Sequence, residues 1–162
     1  MKTAEKTLSR IGLDYQQSAQ LAGLLNDLLA NYSTFYQNAR GYHWNIQGEK
    51  FFELHLKFED LYNELFLKID EVAERILTLG FKPEHQFSKY LDESTISEST
   101  KVDDGVHSVR AILESYQILI AKQRKVLEMA VEIGDEGTNA LMSDYIGEQE
   151  KKVWMYAAFL RR

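Results

Sequence analysis

Cysteine is absent from the 162 residues, which excludes disulfides, thiolate zinc sites, iron–sulfur clusters and cysteine nucleophiles together. Any metal must therefore be held by His, Asp and Glu. Proline occurs once and glycine nine times. Both residues interrupt helix interiors, so their scarcity predicts long uninterrupted helices. No stretch approaches the ~18 consecutive apolar residues of a membrane-spanning helix. The start, Met1 to Lys6, carries no apolar run behind its lysine and does not read as a secretory signal, so a soluble cytoplasmic protein is expected. Positive charge is also short: 19 Lys and Arg stand against 25 Asp and Glu, a formal charge of −6. That balance argues against a broad nonspecific nucleic-acid surface, which depends on neutralising many phosphates. What remains is 44% apolar and 27% charged, the composition of one globular domain spanning 1–162, with a short N-terminal tail over about 1–13.

Four apolar stripes at helical spacing organise this domain. The first runs from Tyr15 to Trp44, with Leu21, Leu25, Leu28, Tyr32 and Phe35 on one face. Asn45-Ile46-Gln47-Gly48 breaks it, because Asn and Gly favour turns. A second helix reaches Leu79 and stops at Gly80, with Pro83 just beyond. Residues 81–101 read as a long crossover with one helical turn around Phe87, Tyr90 and Leu91. Val102 to Leu127 mark a third helix ending near Gly134, and Leu141 to Leu160 a fourth. A hairpin, a long crossover between helices 2 and 3, and two further helices make an all-α four-helix bundle.

The second helix carries two stripes. At about 100° per residue, Leu54, Phe58, Leu61, Leu65, Val72 and Ile76 share one arc, while His55, Glu59, Asp70 and Glu74 share a flank with Phe52 and Phe66. A helix with two apolar sides usually has two partners, so a second copy is expected to cover the flank. His55/Glu59 and Asp70/Glu74 each have the i,i+4 spacing that aligns two side chains. The two pairs stand 15 residues apart, about 22 Å along a straight helix, and cannot share an ion within one chain. An isologous two-fold contact near Glu64 and Leu65 would bring His55/Glu59 of one copy opposite Asp70/Glu74 of the other. His43, five residues before Gly48 as His55 lies seven after it, falls at similar height in the hairpin. Such a nitrogen and oxygen set suits Fe(II), Mn(II) or Zn(II). Either pair alone is more often a surface feature, and histidines that serve only interface packing are a further reading. Glu53, Asp60, Glu64 and Glu71, with Lys50, Lys57, Lys68 and Arg75 beside them, read as a solvated face laced by helical ion pairs.

The run Tyr42-His43-Trp44-Asn45-Ile46-Gln47-Gly48, then Phe51-Phe52-Glu53-Leu54-His55 and Asp70-Glu71-Val72-Ala73-Glu74-Arg75, resembles the Dps family of ferritin-like mini-ferritins. Lys151 to Leu160 is similar to that family's last helix, so the resemblance covers about residues 15–161. It implies a ferritin-like four-helix subunit assembled into a twelve-chain shell with metal sites at two-fold interfaces. It also implies a ferroxidase that oxidises Fe(II), preferentially with hydrogen peroxide, and stores ferric mineral as protection against oxidative damage. By motif position, His43, His55 and Glu59 would come from one subunit and Asp70 and Glu74 from its neighbour, with Trp44 beside the site as an electron donor. Zn or Mn would compete for the same ligands.

One position departs from the pattern, since the residue four after the second histidine is commonly Asp in the family and is Glu59 here. None of the four histidines has Glu three residues before it, so the intrasubunit Glu-x-x-His centre of larger ferritins is disfavoured. Asp135 and Asp144 match the region where family members line iron-admitting pores, although an acidic residue at a helix N-terminus is equally well explained for Asp135 by the helix dipole. DNA binding is expected to be weak or absent: Lys2, Lys6 and Arg10 are diluted by Glu5, and the shell would be strongly anionic. The alternative is a nucleoid-associated, DNA-compacting protein whose metal site is vestigial or filled by zinc, which a lysine-rich tail would favour.

Overall fold

The computed structural model describes residues 7–161, and Lys2, Glu5, Lys6 and Arg162 lie outside them. Five helices follow one another: α1 (Tyr15–Asn45), α2 (Phe51–Thr78), α3 (Phe87–Glu93), α4 (Gly105–Ile133) and α5 (Glu136–Leu160). α1 packs against α2 and α4, α5 against α4, and the short α3 lies on α1. Among the described residues no helix is long and apolar enough to cross a membrane.

Side chains and turns that cannot continue a helix set its ends. Asp14 accepts from the Gln17 N–H at 2.9 Å and caps α1. Gly80 (φ 96°) ends α2: its own N–H reaches Leu77 O at 2.9 Å and the next N–H, of Phe81, reaches Ile76 O at 3.1 Å, the paired bonds of a left-handed helix stop. The third long helix begins later than its apolar stripe suggests. Asp104 caps it, accepting from the His107 N–H at 2.7 Å, so Val102 packs against the core from the crossover and not from a helix. The last helix likewise begins earlier than its stripe, at the Asp135 cap.

The core is the inner face of all four long helices. On α2 the buried residues are Leu54, Phe58, Leu61, Leu65, Val72 and Ile76, the predicted arc. On the buried face of α1, Tyr32, Phe35 and Tyr42 are each fully buried. Fully burying an aliphatic or aromatic side chain of this size stabilises the fold by about 1.5–3 kcal/mol, so this face outweighs any propensity term.

Three asparagines of α1 hold the crossover. Asn31 Oδ1 accepts from the backbone of Thr95 and Ile96, each at 3.0 Å, and Asn38 bonds Ser97 O at 2.8 Å and the Ser99 N–H at 2.9 Å. Asn26 does the same for Glu84 at 2.8 Å. A long segment with little secondary structure of its own thus has its backbone groups satisfied by side chains.

Candidate functional site

At the bundle centre, where an intrasubunit metal site would need carboxylates, lies a closed ring of neutral groups. The Tyr32 hydroxyl donates to Gln123 Oε1 at 2.5 Å, Gln123 Nε2 to Gln149 Oε1 at 2.8 Å, and Gln149 Nε2 back to Tyr32 at 2.5 Å. All three are buried. Burial pushes the Tyr32 phenol well above its ordinary range. None of the three groups carries the negative charge a cation site needs.

Most of the charged face of α2 pairs with α5 rather than along the helix. Lys68 meets Glu148 at 2.6 Å, Lys152 meets Glu64 at 2.8 Å, Tyr145 donates to Glu71, and Arg75 meets Asp135 at 2.6 Å. Lys50 with Glu53, at 3.6 Å, keeps the helical spacing expected of this face. The carboxylates of Glu64 and Glu71 are therefore engaged with α5, whose turns bring the partners into reach.

The hairpin brings His43 and His55 together. Their rings stack with centroids 3.8 Å apart and planes 14° from parallel. His43 Nδ1 lies 2.7 Å from His55 O, and His55 Nδ1 lies 2.8 Å from His43 O. A carbonyl can only accept, so each Nδ1 carries a proton and Nε2 is the nitrogen left to face a metal. This is the tautomer a metal-binding imidazole needs, set by an outer hydrogen bond. Phe51 stacks on His55 at 5.0 Å and Tyr62 meets His43 edge-on at 5.3 Å, which fixes the ring planes further.

The remaining predicted ligands stay apart. Glu59 sits one turn beyond His55, half-buried, while Asp70 and Glu74 are exposed on the far half of the same unbroken helix. Among the described residues no three His, Asp or Glu side chains of one chain converge on a point. The flank they share is apolar and bare: Phe52 is 80% exposed and Phe66 58%.

Trp44, though next to His43 in the chain, points elsewhere. It is 57% exposed, with the Arg40 guanidinium carbon 4.6 Å above its ring. Trp44 lines an open groove of about 880 Å³ with Tyr36, Phe66, Phe87 and Leu91. Adjacent residues on a helix diverge by about 100°, so Trp44 and His43 leave α1 in different directions.

Asp135 is 3% exposed and fully engaged: it accepts from the Thr138 N–H at 3.0 Å and from the Thr138 hydroxyl, and it pairs with Arg75. It is a cap and a tie between α5 and α2. Within one chain both of its carboxylate oxygens are engaged by α5 and α2. Asp144 is exposed.

Sequence reasoning passed over Tyr62, Tyr36, Arg40, Gln123 and Gln149. The glutamines fall on the buried faces of α4 and α5, and a polar residue in an apolar stripe was the one available signal for them.

A family model for the ferritin-like domain matches residues 22–162. A DNA protection during starvation protein of Porphyromonas gingivalis is 44% identical over 155 residues, covering 96% of this chain and 98% of its own. Among solved structures, a Dps protein of Vibrio cholerae O1, described as a member of a broad superfamily of ferritin-like diiron-carboxylate proteins, superposes with a TM-score of 0.95 at 57% identity, covering 98% of this chain and all of its own. A Dps protein of Bacillus brevis gives 0.87 at 34% identity over 90% of this chain and 98% of its own.

Proposed function

The chain belongs to the Dps family of ferritin-like proteins, and from that premise we propose that it oxidises Fe(II), with hydrogen peroxide as preferred acceptor, and stores the ferric product in a hollow shell of twelve copies in the cytoplasm. The observation that carries this reading is the His43–His55 pair, two imidazoles locked in the metal-binding tautomer on a bare apolar flank. His43, His55 and Glu59 supply one half of each site. Asp70 and Glu74 of the partner subunit supply the other, brought across by antiparallel pairing of α2 with its copy.

Iron is here substrate and cargo. Nitrogen and oxygen ligands without sulfur bind Fe(II) and, as competitors, Zn(II) or Mn(II). The protein orients the ligands, covers the flank and keeps the product enclosed, while the metal carries the electrons. Glu59 reaches one methylene further than the Asp usual at its position, which shifts its oxygens relative to the imidazoles. Asp135 and Asp144 are the pore candidates, Asp135 at the cap of α5 and Asp144 exposed on that helix. The charge of −6 per chain, multiplied over a shell, supports weak or absent DNA binding.

The test couples native mass with stopped-flow absorbance after adding Fe(II) and peroxide to metal-free protein. An assembly well above a monomer with rapid Fe(III) formation is expected. A monomer that leaves Fe(II) unoxidised overturns the reading.

A further inference from the structure

All the sulfur of the chain is thioether, because it has four methionines and no cysteine. Met1 lies outside the described residues, and the other three differ in access. Met142 is fully buried, at 0% exposure, and Met129 is half-buried against the core. Met155, towards the end of α5, is 40% exposed. It lines a groove of about 230 Å³ whose apolar walls are Leu54, Val109, Tyr156 and Phe159, drawn from α2, α4 and α5. The share of liquid volume of one water molecule is about 30 Å³, so a molecule of two oxygens has room there.

The polar lining of the groove is Glu53, Lys57 and Lys152. Two of these are engaged elsewhere: Glu53 pairs with Lys50 at 3.6 Å, and Lys152 with Glu64 at 2.8 Å. Lys57 is half-buried and has no ion pair among the described residues. An ammonium offers three donors and no acceptor. Sulfur and ammonium together meet the two needs of a reaction with a hydroperoxide. One oxygen requires a soft, polarizable nucleophile, and the oxygen that departs requires a donor.

We propose that Met155, assisted by Lys57, is a modification site that takes up hydrogen peroxide without metal. A sulfur lone pair attacks one peroxide oxygen and the O–O bond breaks. Charge builds on the departing oxygen, which takes a proton from the Lys57 ammonium and leaves as water. The hydroxyl left on sulfur returns its proton to Lys57. Sulfur loses two electrons and peroxide gains them, so one thioether and one H2O2 give one sulfoxide and one water. Methionine sulfoxide is reversible by dedicated reductases, which makes the side chain a sink that can be reset. Neither Fe(II) nor a second copy takes part, and the site is separate from the histidine pair.

The experiment exposes metal-free assembled protein to hydrogen peroxide and follows the gain of one oxygen at each methionine by peptide mass spectrometry. Met155 is expected to react faster than Met129 by about tenfold and Met142 more slowly still, with the three rates converging in denaturant. Lys57→Leu should slow Met155 severalfold and leave Met129 unchanged. Lys57→Arg, which keeps its donors, should restore the rate. Met155 reacting no faster than Met129 overturns the proposal, and the wild-type ratio decides this without any variant. A Met155 rate in Lys57→Leu equal to wild type overturns the part given to the lysine. Iron is absent throughout, so the ferroxidase reading stands or falls separately.

Discussion

His43 and His55 each donate through Nδ1 to the other's backbone carbonyl, at 2.7 and 2.8 Å, so each ring is tied to the opposite helix and the two bonds clamp the hairpin from both sides. The ligand pair and the α1–α2 hairpin are one mechanical unit. Replacing both residues by alanine is expected to leave the assembly mass unchanged and to abolish rapid Fe(II) oxidation. Losing an outer partner of a ligand costs about 10–100-fold, and losing the ligands themselves should cost at least that. Wild-type stopped-flow rates in the double variant would refute the assignment.

Phe66, 58% exposed beside the ligand flank, is the residue whose replacement by a charged one should separate the two copies. Each aromatic of this size contributes about 1.5–3 kcal/mol when buried, and an isologous contact counts it twice. Phe66→Asp is therefore expected to shift native mass toward smaller species and to lose Fe(II) oxidation with all five ligands intact. Full activity in a monomeric Phe66→Asp would show that one chain suffices.

Asp135→Ala removes the α5 cap and leaves the Arg75 guanidinium, 18% exposed, without its carboxylate. Loss of one partner of a largely buried pair, with loss of a cap, should cost about 3 kcal/mol. Asp135→Asn, which can still cap, is expected to recover part of that. The check is denaturant unfolding, and a midpoint for Asp135→Ala equal to wild type would count against the tie.

Alkaline pH should weaken the fold through its buried phenols. Tyr32, Tyr116, Tyr145 and Tyr156 all have pKa values raised in the native state, burial being the leading cause. The unfolded chain releases these protons near the ordinary value of 10.0 while the native state keeps them. The contribution is thus complete below pH 10 and declines as pH rises above it, by about 1.4 kcal/mol per pH unit for each such group. Tyr32→Phe should flatten the decline measured by unfolding at a series of alkaline pH values, and an unchanged slope would exclude Tyr32 from it.

A gel-shift titration at physiological ionic strength is expected to show no DNA complex, because the chain carries −6. A clear shift would favour the DNA-compacting alternative.

The periodicity of α2 made its buried arc legible to the residue, because six apolar side chains at helical spacing have only one way to face a core. The hairpin was legible for the same reason, and with it the meeting of His43 and His55. The start of α4 was not: Val102 continues the stripe, but Asp104 offers a capping oxygen that stops the helix short of it. Nor was the tie between Asp135 and Arg75, because the partner lies 60 residues away and no local pattern reveals it. The direction of Trp44 depends on helix phase and on Arg40, and the ion pairs of α2 depend on where α5 lies beside it. Contacts between distant elements are what a single sequence leaves unstated.

The ring formed by Tyr32, Gln123 and Gln149 satisfies its own hydrogen bonds and carries no charge. A cation entering there would disturb those bonds and meet no counter-charge, so this ring offers a metal no site. If iron oxidation is confined to the flank that a second copy completes, then dilution turns the activity off and association turns it on. Insoluble product would form only where a wall is already being built to contain it.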